Sequence, residues 1–267
     1  MKTSRRILLA LGSFSLVVTL GGLGLGLGAT SSGAADPPAT VTVVHGIPSV
    51  GNVDVCVGTT ALLSAVPFKG VATISVPAGT YDLTVKAAAT PACTGAVAIS
   101  APGTVVPAGA IVSAVANIAG GTPNLAIYAN DVSPVANGSG RVAVYHAANA
   151  PAVDILVNGG PGLSDLTQKT VQSADLPAGT YDFKVTPAGD PSTTVLDLSG
   201  VSLPAGKLLE VFAVGAVPDE GGQNPFQVIT NVVDLPAATT PTTAASTTTA
   251  PVASPAPATA ASPAMTG

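Results

Sequence analysis

The segment Val76-Pro-Ala-Gly-Thr-Tyr81-Asp82-Leu83-Thr84-Val85-Lys86 recurs 100 residues later as Leu176-Pro-Ala-Gly-Thr-Tyr181-Asp182-Phe183-Lys184-Val185-Thr186. Other landmarks repeat around it in the same order. Val41-Thr-Val-Val-His45 answers to Val142-Ala-Val-Tyr-His146, and Val53-Asp54-Val55-Cys56-Val57-Gly58 to Val153-Asp154-Ile155-Leu156-Val157-Asn158. Val106-Pro-Ala-Gly109 and Leu203-Pro-Ala-Gly206 each precede a β-rich run. The order predicts two tandem domains, residues 38–135 and 138–235, joined at Asn137-Gly138-Ser139-Gly140 and each folding independently.

Within a unit the runs are short, rich in Val, Ile, Thr and Tyr, and punctuated by Pro-Ala-Gly, which is strand-and-turn chemistry. In the first unit, strands are expected near 40–45, 52–58, 71–76, 80–87, 95–106, 110–118 and 124–130. Seven short strands in under 100 residues suit an Ig-like antiparallel β-sandwich. No run combines helical length with capping residues. Tyr81, Leu83 and Val85 alternate with Asp82, Thr84 and Lys86, so one face is core and the other wet. Pro-Ala-Gly fits a type I turn. A tyrosine just after it resembles the tyrosine corner, in which the hydroxyl bonds back to the turn backbone.

The ends differ from the middle. Lys2, Arg5 and Arg6 precede an uncharged apolar stretch from Ile7 to Leu27 and small residues up to Gly33-Ala34-Ala35, the pattern of a signal peptide over residues 1–35. Five glycines between Gly21 and Gly28 weaken the alternative, a retained membrane anchor. Residues 236–267 hold 29 Ala, Thr, Pro or Ser among 32, and no charge. Such a segment cannot bury enough apolar surface to offset its ordering entropy, so a disordered tail is expected, either bare or as an O-glycosylated stalk.

Charge narrows the partners. Nine Lys and Arg stand against fourteen Asp and Glu; losing residues 1–35 removes three bases and no acid, leaving a net charge of −8. That sign disfavours nucleic acid, and an acidic surface suits a secreted or cell-surface protein. Membrane contact is expected only through an uncleaved signal segment. There is no Trp, and the repeat tyrosines are assigned to the core, so no aromatic platform for sugar stacking stands out.

Cys56 and Cys93 are the only cysteines. In an exported domain they are expected to form a disulfide closing a 37-residue loop, with two free thiols as the alternative. Leu156 stands at the place of Cys56 in the second unit. The one polar set suggestive of a site is His45 with Asp54 and His146 with Asp154, each His ending a strand and each Asp opening the next. A His–Asp hydrogen bond fixing the intervening loop is expected. Catalysis would need a nucleophile beside the His, and a metal a third ligand; Ser49 has only Ala and Asn as counterparts in the second unit. Asp219 to Asn224 reads as a polar hairpin loop without the spacing of a calcium loop. No cofactor and no metal site are expected.

The combination of a strand ending in His, a Pro-containing loop, Val-Asp-Val or Val-Asp-Ile with a turn, and Pro-Ala-Gly-x-Tyr resembles the DUF4397 family of bacterial exported proteins. The second copy carries it as His146 through Pro151, Val153-Asp154 and Asn158-Gly159, then Leu176 to Tyr181. The first has one extra residue between His45 and Asp54, and Gly58-Thr59 at the turn. The resemblance covers residues 40–233 and implies fold and export but no catalytic residue. The resulting expectation is a non-catalytic secreted or envelope protein that binds an extracellular protein or glycan, or serves as surface structure. The alternative is a ligand- or metal-dependent binder or enzyme using the His/Asp sets.

Overall fold

The structure, a computed structural model, describes residues 36–219 and 221–236. The expected signal peptide and all but the first residue of the expected tail lie outside them. Sixteen strands and no helix occur among the described residues. Repeat 1 comprises β1 (Ala39–His45), β2 (Val53–Val57), β3 (Thr60–Val66), β4 (Val71–Val76), β5 (Gly79–Ala87), β6 (Val97–Val106), β7 (Ile111–Ala119) and β8 (Thr122–Ala129). Repeat 2 comprises β9 (Ser139–His146), β10 (Val153–Val157), β11 (Gly160–Leu166), β12 (Val171–Pro177), β13 (Gly179–Pro187), β14 (Leu196–Leu203), β15 (Lys207–Val214) and β16 (Gln227–Asp234).

Each repeat is a sandwich of two four-stranded sheets, ordered β4-β1-β7-β8 over β3-β2-β5-β6 and β12-β9-β15-β16 over β11-β10-β13-β14. The β-sandwich class agrees with the sequence. Within it, one pair per repeat is parallel, β1 with β7 and β9 with β15, and the other pairs are antiparallel. Each repeat has eight strands, not the seven expected, because β3 and β11 follow β2 and β10 through two-residue turns. Asn158 and Gly159 have φ of 50° and 78°, the left-handed pair that a tight type I′ hairpin demands. Both added strands are sheet edges, where Pro161 costs no ladder bond. Their pairing is bulged, and Ala65 and Asp165 next to the irregular stretches both take φ of 52°.

The tyrosine corners are present. Tyr81 Oη donates to Pro77 O at 2.8 Å and Tyr181 Oη to Pro177 O at 2.6 Å. Cys56 and Cys93 are disulfide-bonded, with Cα atoms 6.0 Å apart.

The described residues form one compact unit. The central strands of the inner sheets, β1 and β7 in repeat 1 and β9 and β15 in repeat 2, are buried on both faces. Val41, Val43 and Ala114 point into the core of repeat 1, and Val142, Val144, Leu209 and Val211 into that of repeat 2. The alternate residues Val44, Val115, Tyr145, Leu208 and Phe212 pack together between the repeats. Tyr145 stacks on Phe212 at 4.6 Å and meets Tyr128 edge-on at 5.3 Å. The expectation of independently folding repeats therefore meets a shared core. Strands buried on both faces read as nearly unbroken apolar runs, and Leu208 to Val214 is such a run, interrupted by Glu210 alone.

Candidate functional site

His45 and His146 end β1 and β9, completely buried, and Asp54 and Asp154 lie in β2 and β10. The expected His–Asp bond does not form, because each side chain is spent on a different loop. His45 Nε2 lies 3.1 Å from Val50 O and 2.8 Å from Gly51 O. His146 Nε2 lies 3.0 Å from Pro151 O. A carbonyl only accepts, so Nε2 carries the hydrogen in both. Each His thus fastens the loop after its own strand, as the sequence suggested for the segment 147–153, but does so through backbone.

The aspartates fasten the opposite connections. Asp54 accepts from the backbone N–H of Ala65 at 2.8 Å, Cys93 at 2.9 Å and Ala89 at 3.3 Å. Asp154 accepts from Asp165 N–H at 2.7 Å and Gly189 N–H at 2.9 Å. In both copies one oxygen holds the bulge of the edge strand and the other the connection between the next two strands. These amide bonds lower the carboxyl pKa of both aspartates, Ala65 contributing most at Asp54 and Asp165 at Asp154. Burial lowers the His146 pKa. Its Nδ1 has no partner among the described residues, so a second ring proton would be a buried charge facing no acceptor.

Sequence reasoning missed a second polar set, at the junction of the repeats. Glu210 is fully buried. Its carboxylate accepts from Ser113 Oγ at 2.9 Å, Asn130 Nδ2 at 2.7 Å, Asn231 Nδ2 at 2.8 Å and Tyr145 Oη at 3.4 Å. Burial, and then the neighbouring Glu210 carboxylate, raise the Tyr145 hydroxyl; burial pushes Tyr128 up to about 12. Arg141 holds the connection between the repeats. Its guanidinium is bidentate on Asp175, at 2.7 and 2.9 Å, and reaches Asp131 Oδ1 at 2.8 Å and Ser133 Oγ at 2.9 Å. The signal for this set was a lone acid in an apolar strand.

The β15–β16 connection, the polar loop 219–224, borders a cleft of about 440 Å³ between the repeats, where Gly120, Asn149, Asp219 and Asn224 meet. Both Asp219 oxygens accept from Asn224 N–H at 3.1 Å, closing the loop on itself. Asn149 Oδ1 accepts from Gly120 N–H at 3.1 Å, and Ser49 Oγ donates to Asn224 Oδ1 at 2.8 Å, so Ser49 contacts the other repeat. Among the described residues, no three His, Cys, Asp or Glu side chains gather as a metal-holding set.

No curated protein matches the chain. Among solved structures, the Bacillus anthracis TIE protein is similar at 12% identity and a TM-score of 0.21, over 67% of this chain and 34% of that one. The chain thus spans about a third of that protein's length. The model described as "Domain of unknown function (DUF4397)" matches twice, over residues 39–156 and 141–243. With both matches falling on the duplicated sandwich, the chain belongs to the DUF4397 family and carries two tandem copies of its domain.

Proposed function

We propose that the protein is a non-catalytic extracytoplasmic binding or surface-structural protein, exported by its N-terminal segment. Its paired sandwiches act as one body toward an envelope protein or glycan, beside an Ala-, Thr-, Pro- and Ser-rich tail. The observation that carries this reading is where the His and Asp polar atoms go. Each is occupied by the backbone of its own loops, or buried without a partner, and among the described residues no hydroxyl is hydrogen-bonded to either His ring as a nucleophile. Membership in the family, the disulfide and the acidic charge support export.

The test begins with location. Fractionation with N-terminal sequencing of the product should find the chain outside the cytoplasm with Cys56 and Cys93 bonded. The exported protein should then retain a glycan or wall fraction on an array or in a pull-down, and the Asp154→Asn variant should retain it equally. Loss of retention in a folded Asp154→Asn variant, or retention only with added divalent metal, would favour the alternative, a site built on the His/Asp sets.

A further inference from the structure

Repeat 1 is hollow where repeat 2 is filled. Between the sheets of repeat 1 lies a cavity of about 220 Å³; its counterpart in repeat 2 holds about 20 Å³. Strand register identifies the cause. Val112 pairs with Val41, and Leu209 with the equivalent Val142. By the same register Ala114 answers to Val211, Leu83 to Phe183, and Ala101 to Leu198. At all four positions repeat 2 has the larger side chain. The core of repeat 1 is accordingly split into two clusters, whereas repeat 2 has one.

The hollow reaches the surface between edge strands β6 and β8, where Val105 is 65% and Ile127 44% exposed. The equivalents in repeat 2 are Ser202 and Thr230. The rim is therefore apolar only where there is a space behind it. Inside, the few polar groups are engaged: the Tyr81 hydroxyl on Pro77 O, and His45 Nε2 on the loop carbonyls. No charged side chain lines the space. An apolar cavity of about 150 Å³ stays dry and binds small hydrocarbons, so a larger one of this lining is a receptor for hydrocarbon.

We propose that repeat 1, and not repeat 2, binds the unbranched alkyl chain of a single-chain amphiphile, with the polar end left in water outside Val105 and Ile127. At about 30 Å³ per water-sized group, the space takes about seven methylenes. A slot between two sheets admits a slender chain better than a branched one. The occupant is a dispersed amphiphile and not a bilayer, because the exposed large apolar side chains among the described residues are only Val97, Val105, Ile127 and Val232, on an acidic molecule. The proposal is independent of the role given to the His/Asp loops.

The test titrates the full chain with hexanoate, octanoate, decanoate and octanol by calorimetry, beside flotation on phosphatidylcholine vesicles. One equivalent should bind, affinity should rise about fourfold per methylene up to about eight carbons, and octanol should bind as octanoate does. Filling the hollow with the residues of repeat 2, by Val112→Leu with Ala114→Val, should weaken octanoate at least tenfold in a protein that still unfolds cooperatively. If that variant does not fold, Leu83→Phe and the wild-type chain-length series decide. Absence of binding from six to ten carbons, two equivalents per chain, equal affinity in a folded filled variant, or vesicle flotation without binding of the free chains would each overturn the proposal.

Discussion

At the scale of single residues, the two buried loop fasteners make opposite demands on pH-dependent chemistry but give the same sign. Burial lowers the His146 pKa, so between the ordinary value near 6.5 and the lower folded one the unfolded chain binds the extra proton. Its neutral form is the stabilising one, and stability is complete above about pH 6.5 and declines as the pH falls through the folded value. Asp54 is depressed by its amide bonds, so its contribution is present above about pH 4 and is lost as the pH falls further through its folded value. Denaturant midpoints measured from pH 8 to pH 3 should therefore fall in two stages. His146→Gln should remove the His146 contribution to the upper stage, leaving the lower. Asp54→Asn should reduce the lower stage, to which Asp154 also contributes, and cost about 3 kcal/mol at pH 7, since it weakens bonds to three backbone amides around a fully buried group. A slope between pH 6.5 and 5 unchanged in His146→Gln would contradict the assignment.

At the scale of strands and loops, what could be read in the sequence was what is local. Pro-Ala-Gly-Thr-Tyr carries its turn and its hydroxyl partner within five residues, and β5 and β13 alternate because their sheets have one wet face. The extra strand β11 was hidden because an edge strand tolerates Gly160, Pro161 and Gly162, residues that normally argue against a strand, and β3 because Ala61, Leu62, Leu63, Ser64 and Ala65 form no alternating β-branched run. The His–Asp bond was wrongly expected because adjacency in sequence ignores direction: the His rings turn to their own loops, and the carboxylates to amides 11 and 35 or more residues away. The disulfide joins β2 to the β5–β6 connection, just where Cys93 N–H reaches Asp54. A crosslink across 37 residues restricts the unfolded chain by about 4 kcal/mol on a loop-entropy estimate. Reduction, or Cys56→Leu with Cys93→Ala in imitation of repeat 2, should lower unfolding stability by about that amount without changing far-ultraviolet circular dichroism. A loss below about 1 kcal/mol would mean that the bonds from Asp54 to Ala89 and Cys93 already restrain this corner.

At the scale of the molecule, the duplication supplies its own interface. Strand register makes Ser113 the equivalent of Glu210, and the two bond to each other at 2.9 Å. Equivalent faces of the two repeats therefore meet about an approximate twofold axis that passes close to this pair. The contact resembles an isologous dimer made within one chain, and the residue on the axis decides which pairings are allowed. Two copies of repeat 2 facing each other in this way would bring two Glu210 carboxylates together without the Ser113 hydroxyl or the Asn130 amide that one of them now uses. Like charges forced together in a dry interface disfavour that partner strongly. Glu210 thus selects repeat 1 over another repeat 2, at the cost of leaving repeat 2 with an exposed apolar face when alone. Residues 138–236 expressed separately should be less stable than the full chain and remain monomeric in sedimentation at neutral pH, with Tyr145, Leu208 and Phe212 open to solvent. Glu210→Ser in that fragment places the residue of repeat 1 on the axis and should produce a dimer. In the full chain, Glu210→Ala removes the buried acceptor shared by Ser113, Asn130 and Asn231 and should cost about 3 kcal/mol, with both repeats still unfolding in one transition. A fragment that dimerises with Glu210 intact, or stays monomeric as Glu210→Ser, would show that the apolar residues around the axis, and not the buried carboxylate, choose the partner.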